Sequence, residues 1–162
     1  MQESVRAALT YVHANAERLS IDPACFEKLD IHVHVPEGAV PKDGPSAGIG
    51  MMTALVSALS GIAVKPRLAM TGEITLRGRV LPIGGLREKL LAAVRAGVTT
   101  VLLPEKNRED LYDVPEAVRA ALRIVYVSSA DEVIREAMSI RPEWLPQNIP
   151  VQEEAAHGTV RH

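Results

Sequence analysis

In the second half of the chain, short β-prone runs alternate with stretches of helical spacing, and this alternation restricts the possible folds more than any other feature. The order is helix, strand, polar helical region, strand and helix, carried by GLREKLLAAVRAG, VTTVLLP, residues 105–121, RIVYVS and ADEVIREAM. Gly97 is expected to end the first of these helices. Helices that alternate with strands are typical of domains in which helices cover a sheet. The sequence therefore predicts an α/β (α+β) fold.

The first half of the chain adds two helices and up to three strands. Residues 3–19 carry apolar side chains at helical spacing, and residues 46–60 form a second apolar run that a glycine ends. Residues 29–35 alternate apolar and polar side chains, which predicts a strand. Two further β-prone runs, 68–71 and 80–83, are separated by glycines and predict a strand pair or ribbon.

The length of 162 residues fits one domain with its own hydrophobic core. Apolar residues make up 47% of the chain but aromatic residues only 3%, so the core must consist mainly of aliphatic side chains. After Ile140 the helix and strand patterns give way to a polar, proline-interrupted segment. We expect one domain over residues 1–139 and a flexible tail over residues 140–162.

Charge and cysteine content restrict the partners and the compartment. The formal net charge is −2, and acidic and basic residues are mixed, so no basic stripe for nucleic acid is present. The single cysteine, Cys25, excludes an internal disulfide, suits a reducing compartment and is expected to be a small buried side chain. No run approaches the ~20 apolar residues of a membrane span. These features predict a cytoplasmic protein without a membrane or nucleic-acid partner.

A loop rich in proline and glycine leads directly into the apolar helix at Ser46. The residues around this serine, Gly44-Pro45-Ser46-Ala47-Gly48, match the short pattern G-x-S-x-G. Unpaired backbone N–H groups and the positive end of the helix dipole would lie beside the hydroxyl, where they could stabilise an oxyanion. The alternative is an ordinary serine N-cap without a catalytic role.

A nucleophilic serine needs a base, and the histidines fit this role poorly. Two histidines follow the serine but lie in the predicted tail, and the three that precede it would suit an all-β scaffold. A desolvated lysine can become neutral and accept the serine proton, whereas an arginine stays protonated. The eligible lysines are Lys28, Lys42, Lys65, Lys89 and Lys106. Lys89 precedes small apolar residues at helical spacing, which favours partial burial, although a surface lysine remains the alternative.

Two long motifs resemble the proteolytic domain of the bacterial ATP-dependent Lon proteases. They are PKDGPSAG at residues 41–48 and TGEITLRGRVLPIGGLREK at residues 71–89, the latter followed by LLAAVRAG. The similarity extends from the first helix to about residue 139. The resemblance implies an α/β fold of the Lon proteolytic type, similar to the ribosomal protein S5 domain 2-like superfamily.

The resemblance also implies roles for individual residues. Ser46 would attack the peptide carbonyl and Lys89 would act as its general base. Thr71 would hydrogen-bond the lysine and hold it in place, and Asp43 would position or gate the loop before the serine. His32 and His34 match a histidine-bearing strand of the family, and we expect no metal because no further ligand stands at suitable spacing.

The remaining implications concern the parts that this chain lacks. No G-x-x-x-x-G-K-[ST] motif occurs, so we expect no cofactor in this chain, and the resemblance assigns ATP and magnesium to a separate ATPase domain. By the same resemblance, we expect the strands that usually precede the first helix of such domains to lie outside this chain. Unfolded or damaged proteins are the implied substrates, and a homo-hexameric ring is the implied assembly.

Two alternatives with the same or a related fold stay open. The first is a non-catalytic Lon-like module, of the kind attached to some DNA-repair ATPases, that supports assembly or binds nucleic acid. The second is an enzyme that binds phosphate at the helix N-terminus beside Ser46. The joint presence of Ser46 and Lys89 favours the peptidase.

Overall fold

The structure, a computed structural model, describes residues 2–34 and 44–139. The predicted tail at 140–162, Asp43 and most of the loop that leads to Ser46 lie outside the described residues. The helices are α1 (Gln2–Ala14), α2 (Cys25–Lys28), α3 (Gly48–Ser60), α4 (Leu86–Arg95), α5 (Glu116–Ala120) and α6 (Ala130–Ala137). The strands are β1 (Leu68–Met70), β2 (Glu73–Ile74), β3 (Val80–Leu81), β4 (Thr100–Pro104) and β5 (Arg123–Val127).

Three parallel strands in the order β1-β4-β5 form the central sheet. Alternate side chains of β4 point to opposite faces, because successive residues of a strand do so. Leu102 packs in a core with α1, α3 and α6, whereas Val101 and Leu103 pack in a second core with α4 and α5. The domain therefore has three layers, with the sheet between two layers of helices, and the predicted α/β class is confirmed.

The two β-prone runs that were predicted to pair with each other belong to different sheets. β1 pairs in parallel with β4, whereas β3 forms a separate antiparallel pair with β2. The predicted ribbon is therefore wrong in its partners. β4 has buried side chains at four of its five positions, so its backbone N–H and C=O groups need partners on both edges. β1 and β5 supply these partners, which a hairpin between the two β-prone runs would not do.

The strand predicted at residues 29–35 is wrong over the part that the structure describes. Residues 29–34 have no regular secondary structure, and Val35 lies outside the described residues. Among the described backbone hydrogen bonds none involves residues 30–34, so this segment has no neighbouring strand within residues 2–34 and 44–139. An alternating pattern alone does not form a strand, because the ladder requires a partner.

Two helix predictions need smaller changes. The predicted helix 3–19 becomes α1, which ends at Ala14, followed by a short 3₁₀ helix at Glu17–Leu19. At this end the Asn15 side-chain amide donates to the Tyr11 carbonyl oxygen at 2.8 Å, a bond of the kind that competes with the helical backbone. The polar region 105–121 divides into short 3₁₀ helices and α5. α3, in contrast, ends at Ser60 with Gly61 in the left-handed region at φ 72°, as predicted.

Candidate active site

Ser46 lies in a short 3₁₀ helix, Pro45–Ala47, that leads directly into α3. The N-cap of α3 is Ala47, and no side chain caps this helix. The N-cap interpretation of Ser46 is therefore wrong, because the hydroxyl does not serve the end of the helix. Ser46 is half-buried, which leaves part of its surface open to a ligand.

Two donors from the segment after β1 hold the backbone of Ser46. The Thr71 hydroxyl donates to the Ser46 carbonyl oxygen at 3.1 Å, and the Gly72 N–H donates to the same oxygen at 2.9 Å. In return, the Ile49 N–H donates to the Gly72 carbonyl oxygen at 3.1 Å. These bonds fix the serine turn just beyond the carboxyl end of β1, the edge of a parallel sheet where ligands commonly bind.

Lys89 approaches the serine from the opposite helical layer. It lies in the first part of α4 and is half-buried, and its backbone N–H donates to the Gly85 carbonyl oxygen at 3.3 Å. Gly85 precedes the helix in the left-handed region at φ 65°, a conformation that glycine adopts without a steric cost. The buried side chains of Leu86 and Leu90 anchor the same helix in the second core.

The two side chains meet although 43 residues separate them in sequence. Lys89 Nζ and Ser46 Oγ are 3.4 Å apart, at the upper end of the range for a hydrogen bond. This distance is somewhat longer than the ~3 Å expected of a catalytic pair, as is common in sites without substrate. The arrangement places a primary amine where it can accept the proton of the serine hydroxyl.

The other predicted site residues fall into three groups. Thr71 is buried and reaches the site, but its described hydrogen bond goes to the Ser46 carbonyl oxygen, and the contact with Lys89 stays a prediction. Asp43 lies outside the described residues. His32 and His34 are exposed, and within residues 2–34 and 44–139 no cluster of ligating side chains is suited to a metal ion. Cys25, expected to be buried, is only partly so.

Asn107 was not singled out by the sequence, yet it connects to the site through the backbone. Its buried amide makes two hydrogen bonds with Ile83, which precedes α4 by three residues. There was little indication of this role in the sequence, because asparagine is common in turns and Asn107 follows a strand.

The chain neighbours of Ser46 and Lys89 line two cavities. Pro45, which precedes Ser46, lines one of about 410 Å³ together with residues of α1 and the β2 region. Glu88, which precedes Lys89, lines another of about 570 Å³ together with residues 83–87 and two aspartates.

In the described part of the chain, no helix is long and apolar enough to cross a membrane.

Comparison with known proteins yields one family. The sequence profile described as "Lon protease (S16) C-terminal proteolytic domain" matches residues 1–140. Among curated proteins, the chain is 55% identical over 168 aligned positions to the Lon protease of Azorhizobium caulinodans, which covers all of the chain and 20% of that protein. It is 60% identical over 142 positions to the Lon protease of Brevibacillus choshinensis, covering 88% of the chain and 18% of that protein.

A third relative gives the same result. Lon protease 1 of Myxococcus xanthus is 60% identical over 144 positions, which cover 88% of the chain and 18% of that protein. The chain thus spans about a fifth of the length of the curated relatives it matches.

Proposed function

Because the chain belongs to the Lon protease family through its C-terminal proteolytic domain, we propose that Ser46 and Lys89 form the catalytic dyad of a serine endopeptidase. The observation that carries this proposal is the 3.4 Å approach of Lys89 Nζ to Ser46 Oγ. Both residues lie within the two motifs, 41–48 and 71–89, that resemble the Lon proteolytic domain.

The proposed reaction has two halves. Ser46 Oγ attacks the carbonyl carbon of the scissile peptide while the Lys89 amine takes the hydroxyl proton. The tetrahedral intermediate then collapses, the C–N bond breaks, and Lys89 returns the proton to the leaving amine. A water molecule hydrolyses the resulting ester in the same manner, with Lys89 again accepting and returning a proton, and frees Ser46.

In this proposal, the start of α3 stabilises the negative charge of the tetrahedral intermediate. Backbone N–H groups at the beginning of a helix carry partial positive charge and stabilise a nearby anion. Ser46 precedes α3 by two residues, so the oxyanion of the intermediate would form close to this end. The bonds from Thr71 and Gly72 to the Ser46 carbonyl oxygen would keep the turn in place during attack.

The functions beyond this domain are proposals that rest on family membership. We propose that unfolded or damaged proteins reach the site through an ATPase domain that uses ATP and magnesium, within a homo-hexameric ring in the cytoplasm. Because the chain spans about a fifth of the relatives' length, those proteins have room for such a domain outside the matched region.

Substitution of each member of the dyad tests the proposal. In a full-length protease that carries this domain, Ser46→Ala and Lys89→Ala should each lower peptide hydrolysis by at least about 10³-fold, as for other catalytic groups that act as a unit. ATP hydrolysis should stay largely intact. Lys28→Ala, at an exposed lysine of α2, is the matched control and should retain activity. Substantial hydrolysis by either dyad variant would move the chemistry to other residues.

A further inference from the structure

Asn107 is a fully buried amide in a domain whose core is otherwise mainly aliphatic. Only 1% of its surface is exposed, and it ends the 3₁₀ helix Glu105–Asn107 that follows β4. Its Oδ1 accepts the Ile83 N–H at 3.0 Å, and its Nδ2 donates to the Ile83 carbonyl oxygen at 2.8 Å and to Asp110 Oδ2 at 2.5 Å. The side chain therefore uses both of its polar atoms and both of its N–H donors.

The two bonds to Ile83 replace those that a neighbouring strand would make. Ile83 lies two residues after the end of β3, where the chain has left the small sheet but has not yet entered α4. Ile83 is partly buried, where a backbone group without a partner is costly, and the asparagine side chain pairs with both its donor and its acceptor. A single side chain in the segment after β4 thus holds this connection in position.

This connection determines where α4 begins. Two residues after Ile83, Gly85 adopts φ 65°, and its carbonyl oxygen accepts the backbone N–H of Lys89. A shift at Ile83 would therefore be carried through the first turn of α4 to the lysine. Because Lys89 Nζ is already 3.4 Å from Ser46 Oγ, a small additional displacement would take the amine beyond hydrogen-bonding distance.

We propose that Asn107 is a positioning residue for the Ser46–Lys89 pair, acting through the Ile83 backbone and the start of α4. This inference rests on the proposed function. Asn107 is assigned no contact with substrate; its effect is to hold the amine in line with the hydroxyl.

The decisive variant is Asn107→Asp in the full-length protease, because aspartate has the same shape. As a carboxylate it can accept the Ile83 N–H but can donate neither to the Ile83 carbonyl oxygen nor to Asp110 Oδ2. We expect kcat for a peptide substrate to fall about 10- to 100-fold per folded molecule, the usual cost of a small misplacement in an active site. KM should stay within about twofold, since binding contacts are unchanged. The rate at which a fluorophosphonate probe modifies Ser46 should fall in parallel.

Asp110→Asn is the matched control. It keeps an oxygen that can accept from Asn107 Nδ2 and leaves both bonds to Ile83 in place. Its kcat should stay within about threefold of the wild type. Thermal unfolding of each variant gives the folded fraction by which the rates are divided.

The outcomes separate this inference from the proposed function. Wild-type kcat and probe reactivity in Asn107→Asp, with or without a lower melting temperature, would make Asn107 a structural residue only and overturn the inference. Full activity of Lys89→Ala would overturn the dyad itself.

If Asn107→Asp does not fold, Asn107→Ser takes its place, because its hydroxyl can still bond to one group of Ile83. An unchanged kcat in that variant would likewise overturn the inference.

Discussion

At the scale of single residues, the site depends on how firmly the backbone of Ser46 is held. Its carbonyl oxygen accepts two hydrogen bonds, one from the Thr71 hydroxyl and one from the Gly72 N–H. Thr71 is 8% exposed, so its bond forms in a largely dry environment where a hydrogen bond is worth more than at the surface. Thr71 therefore acts on the serine turn, whether or not it also contacts the lysine.

Thr71→Val should weaken this turn without changing the shape of the side chain much. The lost hydrogen bond should lower the free energy of unfolding by about 1 kcal/mol. Peptide hydrolysis should fall several-fold because the proposed nucleophile is held less firmly. Thr71→Ser keeps the hydroxyl and should retain most of the activity. Equal rates for the valine and serine variants would show that the hydroxyl does not support the turn.

At the scale of elements, the approach of α3 to β2 depends on a glycine. A Cβ added at Gly48 would lie 2.7 Å from the Ile74 backbone nitrogen and 2.9 Å from Ile74 Cγ2, which is too close for any real contact. At Gly50, one half-turn later, the nearest atom to such a Cβ would be Met70 Cγ at 3.9 Å, an ordinary contact. The first turn of α3 therefore lies against the β2 backbone, and Ser46 immediately precedes this contact.

Two alanine substitutions within α3 should act in opposite directions. Gly50→Ala should raise the free energy of unfolding by about 0.5–1 kcal/mol, since alanine favours the helix. Gly48→Ala should lower it by about 1–3 kcal/mol, because the methyl group overpacks against backbone that cannot rotate away. Urea unfolding of both variants gives the comparison. A stabilised Gly48→Ala would mean that α3 and β2 are farther apart than described.

At the scale of the whole molecule, one polar cluster links the two ends of the described chain. Asp131 of α6 forms an ion pair with Arg18 and lies close to Tyr11 of α1. Tyr11 is 4% exposed and belongs to the core on that side of the sheet. Burial, and then the negative charge of Asp131, raise the pKa of Tyr11 to about 12.

This shift predicts a loss of stability in alkaline solution. The folded pKa lies above the ordinary value of 10.0, so the protonated phenol is favoured by folding. The contribution of Tyr11 is complete below pH 10 and should decline as the pH rises to about 12, by up to about 2 kcal/mol. Tyr11→Phe removes this titration, so wild type and variant should lose stability unequally over that window. Parallel curves in urea unfolding would contradict a buried, shifted Tyr11.

The local pattern of side chains was sufficient to predict most elements, and the motifs were sufficient to propose the reactive residues. The apolar run ending at Gly61, the helix before Gly97 and the strands β4 and β5 follow from periodicity and from residues that end helices, which act over a few positions. Ser46 and Lys89 were found through their chemistry and the motifs around them. Such information resides in short segments and needs no distant contact.

The choice of partners required the tertiary structure. β1 pairs with β4 and not with β3, and residues 29–34 form no strand despite their alternation, because each outcome depends on which backbone groups are available across the fold. The pairing of Asn107 with Ile83 over 24 residues is of the same kind. So is the 3.4 Å approach of Ser46 and Lys89, which come from opposite layers of the sheet. The local sequence shows which residues have the chemistry to react. Whether they meet depends on the folding free energy of the whole domain, to which contacts between distant segments contribute.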